Sequence, residues 1–312
     1  MRIRKMKSVD VQLHDSTKVK LKTAGNTQVV QFTAGVNKSC PVQNLSKDTY
    51  LDKKTGEVKQ KKKSENRHQS PKSVRKSINR LMDLIRCNAT DSAKCKWLTV
   101  TYAEVMTNGK QAFLDVQLFL RKLRRYLAKQ NNLVEGQKSF KYITIAEPQG
   151  EKHGNSWHLH ILLIFEDIAP FIANETIEEL WSYGITFTHK VFDADGLALY
   201  FKAYLSDVEY EDEGTDEDDC AKPITVEKMV DGVSKQFIKG ERLKYYPSGM
   251  NLYSSSRDMK KPVIEEMTNA KAMECIGDAE MVYRETYAIG NKEKGNLIDK
   301  RYYKKPSDNK GE

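Results

Sequence analysis

The chain has 312 residues, 39% of them hydrophobic and 30% charged, with a formal net charge of +9. That length suits one large domain or two modest ones, and the composition is that of a globular protein. The charge is uneven: residues 1–100 hold 23 Lys and Arg against 8 Asp and Glu, so the remaining 212 are net acidic. A basic front suggests a polyanionic partner, most simply nucleic acid. The five cysteines (Cys40, Cys87, Cys95, Cys220, Cys275) are scattered and make no CxxC pair, which excludes a zinc ribbon and a disulfide framework. The start, MRIRKMKSVDVQL, lacks an apolar signal-peptide core, and no apolar run is long enough to span a bilayer. The expectation is a cytoplasmic protein with no membrane partner.

In chain order, residues 1–69 read as a basic, partly flexible region ending in the linker-like 53–69. Ser70-Pro71 supplies an N-cap and an N1 proline for a helix over 71–87. Its apolar positions, Val74, Ile78, Leu81, Met82 and Ile85, recur at helical spacing, and Lys72, Arg75 and Lys76 lie on the opposite face. Beyond it the periodicity alternates. Residues 96–102 (KWLTVTY) read as a strand, 113–129 as a helix, and 140–147 and 157–165 as strands. Residues 174–184 read as a helix with an Asn cap and a terminal Gly, 185–192 as a strand, and 196–207 as a helix.

The order β-α-β-β-α-β predicts an α+β fold of ferredoxin-like (RRM-like) type. It is a palm with a central four-stranded antiparallel sheet, helices on one face and the first and third strands innermost. The core runs over 70–207. Residues 208–262, an acidic loop (207–220) and a basic, aromatic segment (240–262), complete the domain. Residues 263–312 form a C-terminal extension, helical in part and then disordered.

Chemistry concentrates in the stretch EPQGEKHGNSWHLHILLIF, residues 147–165. Strand alternation puts His158 and His160 on one face, roughly 7 Å apart, with Trp157, Leu159, Ile161 and Leu163 on the other. Two imidazoles so placed can reach a common metal ion. Glu147 closes the preceding strand and is the best third ligand, with Gln149 behind it; a closed four-ligand site would draw on His153 or His189. A bare His-x-His in a strand is more often two half-exposed side chains; the flanking acid and the glycine-containing hairpin favour ligands. Tyr200 and Tyr204, four apart, share one helix face. A phenol with pKa near 10 is a weak nucleophile unless a metal polarises its target, and phosphodiesters suit that chemistry. The plainer alternative is that both tyrosines are amphipathic core residues.

Together these features resemble the HUH endonuclease superfamily, and within it the rolling-circle replication initiators (Rep) of bacterial plasmids and integrative elements. WLTVTY (97–102) resembles the first motif, AEPQGEKHGNSWHLHILLIF (146–165) the second and GLALYFKAYLSD (196–207) the tyrosine motif; GERLKYYPSG and Tyr253–Arg257 also look Rep-like. The resemblance implies a DNA-nicking and strand-transferring enzyme in which His158, His160 and Glu147 hold Mg2+ or Mn2+. A tyrosine attacks single-stranded or cruciform origin DNA, leaving a 5′-phosphotyrosyl bond and a 3′-OH for a host polymerase. Many Reps carry a Lys three residues after the catalytic Tyr; Ala203 and Asp207 stand there, with Lys202 nearby. The Glu-x3-Tyr pattern of other plasmid Reps assigns the nucleophile to Tyr204 and the second step to Tyr200. Tyr-x3-Tyr also resembles the two-tyrosine branch, so a transposase is a rival; an inactivated nucleic-acid-binding regulator is another. Lys72, Arg75, Lys76, Lys202 and Arg257 are the expected DNA contacts. The chain has no G-x-x-x-x-G-K-[ST] loop, which implies reliance on a host helicase.

Overall fold

The computed structural model describes residues 3–5, 11–35, 41–130, 139–150, 153–191, 196–198, 208–209, 225–230, 233–238, 240–289 and 296–305. They divide into two compact units, residues 64–260 and residues 1–63 with 261–312.

The first unit is built on α1 (Pro71–Asn88), β1 (Cys95–Val100), α2 (Gly109–Gln130), β2 (Lys141–Pro148), β3 (Trp157–Ile164), α3 (Asn174–Trp181) and β4 (Thr186–His189). There follow β5 (Val208–Glu209), β6 (Thr225–Val230), β7 (Val233–Ile238) and β8 (Tyr253–Ser255). The main sheet has the order β4-β1-β3-β2-β8, and every pairing is antiparallel. The first and third strands are therefore central, as the element order predicts, and β8 adds a fifth strand beside β2. Strands β5, β7 and β6 form a separate small sheet.

Element ends depart from the sequence reading for local reasons. Helix α2 begins at Gly109 because the Asn108 carboxamide accepts from the amides of Lys110 and Gln111, at 3.1 and 3.2 Å. Helix α3 is not capped by Asn174. Ala173 is the N-cap, and the Asn174 oxygen accepts instead from the Thr188 hydroxyl at 2.9 Å. It ends at Trp181 because Ser182 turns left-handed, with φ 59°. Ser70 holds the N-cap position of α1, but its hydroxyl meets Ser64 at 2.8 Å rather than capping the helix.

The α1 row Val74, Ile78, Leu81 and Ile85 joins the same apolar core as the sheet. Helix α2 packs on β2 and β3, and α3 on α2 and β4. On β3, Leu159, Ile161 and Leu163 are fully buried, as the alternation predicts. The expectation of an open histidine face is corrected: Leu162 and Ile164 on that face, with Ile143 and Ile145 beside them, are also buried. Only the end of the sheet bearing His158 is partly exposed.

The second unit is a six-stranded antiparallel sheet. Its order is Ile3–Lys5, Glu280–Ile289, Asn296–Lys304, Thr27–Ala34, Lys18–Ala24 and Val263–Thr268. Helix Asn269–Ile276 covers one face through Ala272 and Ile276, against Val19, Leu21, Val30 and Tyr303. Residues 42–60 make a three-stranded meander. Two expectations are thereby corrected. The stretch 53–69 contains a strand, Val58–Gln60, and a 3-10 turn, Arg67–Gln69, rather than only linker. Residues 280–289 and 296–304, expected to lack order, are long paired strands. No helix among the described residues is long and apolar enough to cross a membrane.

Candidate functional site

Strand register gathers the site. Glu147 stands directly opposite His158, and Ile145 opposite His160, across β2 and β3. On the other side of β3, Thr99 of β1 stands opposite His160. The turn joining β2 to β3 brings the two ladders together; Gly150, Gly154 and Asn155 take positive φ there, and the Asn155 amide donates to the Gly150 carbonyl at 2.9 Å. His158 and His160 thus share one face with Glu147 and Thr99, and His160, Glu147 and Thr99 are buried.

The side chains make a connected chain of contacts. His160 Nε2 lies 2.5 Å from Glu147 Oε2, and His160 Nδ1 lies 3.0 Å from the Thr99 hydroxyl. That hydroxyl also lies 3.1 Å from His189 Nε2. The other carboxylate oxygen, Glu147 Oε1, accepts from Arg242. Burial pushes the His160 imidazole down to about 4. It does the same to His158, also to about 4, with repulsion from His160 and His153 adding to it. Because Arg242 already offsets the Glu147 charge, burial rather than the carboxylate governs His160, and both rings are neutral at pH 7.

Arg242 is the site residue that the sequence reading missed. It lies in the 3-10 turn Glu241–Tyr245, which Gly240 opens with φ 76°. Leu243, Tyr246 and Met250 anchor the segment in the core. Tyr246 donates to the Ala146 carbonyl at 2.7 Å and stands edge-on to Trp157, centroids 5.2 Å apart. This fixes the turn against the end of β2 beyond its pairing with β8, so that Arg242 reaches Glu147. Burial depresses the guanidinium, which nevertheless keeps its charge at any pH the fold survives. The block GERLKYYPSG carried a signal, its mixture of basic and aromatic residues, but no spacing that pointed to Glu147.

The remaining expected residues fall as follows. Lys72, Arg75 and Lys76 are exposed on α1, and Arg257 is exposed just after β8. Gln149 lies in the turn after β2, its amide donating to the Ser156 carbonyl at 2.8 Å. His153 is exposed. His189 is on the histidine face through its pairing with Trp97, but it meets Thr99. Tyr200, Lys202 and Tyr204 lie outside the described residues, as does most of the acidic loop. Residues 196–198 are helical, and Leu197 and Ala198 are buried.

As a donor set, two neutral imidazoles and a carboxylate on one sheet face suit a divalent cation. Glu147 Oε2 and His160 Nε2 already turn toward one another. Yet Glu147 is shared between His160 and Arg242, and among the described residues no three His, Cys, Asp or Glu are placed to hold a metal ion. The residues fit a metal in kind, and a third ligand requires Glu147 to exchange partners.

A family model described as replication-associated protein, of the ORF2 family, matches residues 95–209. That span covers β1 to β5 and includes Thr99, Glu147, His158, His160 and His189; Arg242 and the second unit lie outside it. The match supports a role for the chain in replication initiation. No curated protein and no solved structure matches the chain.

Proposed function

We propose that the chain is a site-specific endonuclease and strand transferase acting on single-stranded origin DNA, the initiator of rolling-circle replication, on a ferredoxin-like palm. One observation carries this reading: His158 and His160 share a face of the central strand β3, with Glu147 opposite His158 and in contact with His160. The strand order β4-β1-β3-β2 supports the palm, and the family match supports the replication role.

His158, His160 and Glu147 are the residues that would hold Mg2+ or Mn2+. When bound, such a cation would offset charge on the scissile phosphate and make it a better electrophile. The chain's own groups do the rest. The buried strand ladder fixes the imidazoles in one orientation. Arg242 brings a second positive charge beside Glu147. In this reading the Tyr204 hydroxyl loses its proton and attacks phosphorus. The bond from phosphorus to the 3′ oxygen breaks, that oxygen leaves as a 3′-OH, and the 5′-phosphate stays on the tyrosine. Tyr200 serves the second transfer, which rejoins the strand. The phosphotyrosyl ester conserves the bond energy, so no nucleotide hydrolysis is needed.

The test is cleavage of end-labelled single-stranded origin DNA with Mg2+ or Mn2+. The expected products are a fragment ending in a free, extendable 3′-OH and a fragment whose 5′ end is blocked to kinase until protease treatment. His158→Ala and His160→Ala should abolish cleavage while largely sparing DNA binding. Cleavage that leaves a free 5′-phosphate contradicts the proposal.

A further inference from the structure

Thr99 is placed where one hydroxyl meets two histidines. It stands opposite His160 on one side of β1 and opposite Phe187 of β4 on the other, and it is buried. Its oxygen lies 3.0 Å from His160 Nδ1 and 3.1 Å from His189 Nε2. The His189 ring lies over Trp97, centroids 4.7 Å apart and planes inclined by 37°, and the same indole lies 5.9 Å from His160. The geometry of both contacts is therefore held by a shared aromatic neighbour.

A hydroxyl has one proton. It can donate to one of these nitrogens, and at the other it must accept, which obliges that ring to bring its own N–H. With both rings neutral, only two arrangements satisfy every contact. In the first, Thr99 donates to His160 Nδ1, His160 carries its proton on Nε2 and donates it to Glu147, and His189 donates from Nε2 to Thr99. In the second, His160 donates from Nδ1 to Thr99, its Nε2 keeps the lone pair, and Thr99 donates to His189 Nε2. The 2.5 Å approach of His160 Nε2 to the Glu147 carboxylate needs a hydrogen between them, and selects the first. An imidazole that ligates a cation through Nε2 needs the second, because the other ring nitrogen of a ligating histidine donates to a neighbour.

We infer that Thr99 and His189 are positioning residues that set the tautomer of His160, the hydroxyl linking the two rings so that neither changes its tautomer alone. The part of this that concerns a bound cation rests on the function proposed above; the linkage between the rings does not.

Long-range 1H–15N correlation spectra of the full chain, labelled at histidine nitrogen, read the tautomer of each ring directly. The metal-free protein is expected to show His160 and His189 both protonated at Nε2. Mg2+ should convert His160 to the Nδ1–H form, with His189 following to Nδ1–H although it is no ligand. In Thr99→Val, His160 should still respond to Mg2+ while His189 no longer follows, and Thr99→Ser should restore the link. By calorimetry Thr99→Val should weaken Mg2+ binding by about 10- to 100-fold, with Thr99→Ser close to wild type. A metal-free spectrum with His160 in the Nε2–H form and His189 in the Nδ1–H form overturns the inference, as does a His189 response that survives Thr99→Val. Mg2+ that changes neither ring contradicts the metal-dependent function alone, and the link stands or falls on the metal-free spectrum.

Discussion

Arg242 donates to Glu147 across 95 positions of sequence, and both side chains are buried. The ion pair means that the carboxylate beside the histidines is neutralised by the chain itself. Removing one member of such a pair leaves an uncompensated buried charge, which is strongly destabilising. Arg242→Met should therefore lower the stability of residues 64–260 by roughly 3–5 kcal/mol. Arg242→Met combined with Glu147→Gln should cost much less than the two single changes added together. All three tryptophans, Trp97, Trp157 and Trp181, lie in this unit, so denaturation followed by tryptophan fluorescence reports on it. Additive single and double variants would contradict the pairing.

The neutral histidines give the unit a defined response to acid. Unfolded, each imidazole titrates near 6.5; folded, His158 and His160 are pushed down to about 4. The unfolded chain thus binds more protons between these values, so stability is full above pH 6.5 and falls as the pH drops toward 4. The expected loss is roughly 1–3 kcal/mol for each ring across that window. His158→Gln should flatten the dependence, and an unchanged slope in that variant would contradict a buried neutral imidazole. Carboxylates that titrate in the same range are common to both proteins and cancel in the comparison.

Two glycines separate crowding from backbone strain. At Gly184 an added Cβ would lie 2.6 Å from both the Ala103 amide nitrogen and the Thr101 carbonyl oxygen, backbone atoms that cannot rotate away. The close approach is what lets the chain after α3 run beside the end of β1, where the Thr101 and Ala103 amides donate to the Ile185 and Tyr183 carbonyls. Gly184→Ala should cost about 2 kcal/mol or more through displaced backbone. Gly249 has φ 76° and open space around it, so Gly249→Ala should cost only the left-handed penalty of about 1–2 kcal/mol. Equal costs would contradict the crowding at Gly184.

Much of this architecture was legible because each element of the main sheet carries its own periodicity. Leu159, Ile161 and Leu163 alternate with the histidines, and Val74, Ile78, Leu81 and Ile85 recur on one helical face. Glu147 and the two histidines could be brought together from sequence because one short hairpin fixes their register. Arg242 could not, since its position depends on Leu243 and Tyr246 finding the core from a distant segment. The strands of 280–304 were hidden for another reason. Their inward face holds Arg284, Asp299 and Arg301, where the buried Asp299 carboxylate accepts from both guanidinium groups at 2.8 and 2.9 Å. Both guanidiniums also donate to the Val11 carbonyl. A core built partly from ion pairs shows no apolar alternation, and reads as a solvated tail.

The exposed basic face of α1 offers a test of how DNA is held. Lys72, Arg75 and Lys76 point away from the buried row and are exposed. If they contact phosphates, changing all three to Gln should weaken binding of single-stranded DNA and reduce the slope of log affinity against log salt by about 2. Cleavage of already bound DNA should persist. A slope equal to that of the wild type would assign the contacts elsewhere.

The most direct test of the central claim is to trap the protein on single-stranded origin DNA with Mn2+ and identify the linked peptide by mass spectrometry. The account predicts a denaturation-resistant adduct in which the 5′-phosphate is esterified to Tyr204, lost in Tyr204→Phe and in His160→Ala. An adduct at Tyr200 that survives Tyr204→Phe would contradict the assigned nucleophile. No adduct with any divalent metal would contradict the function itself.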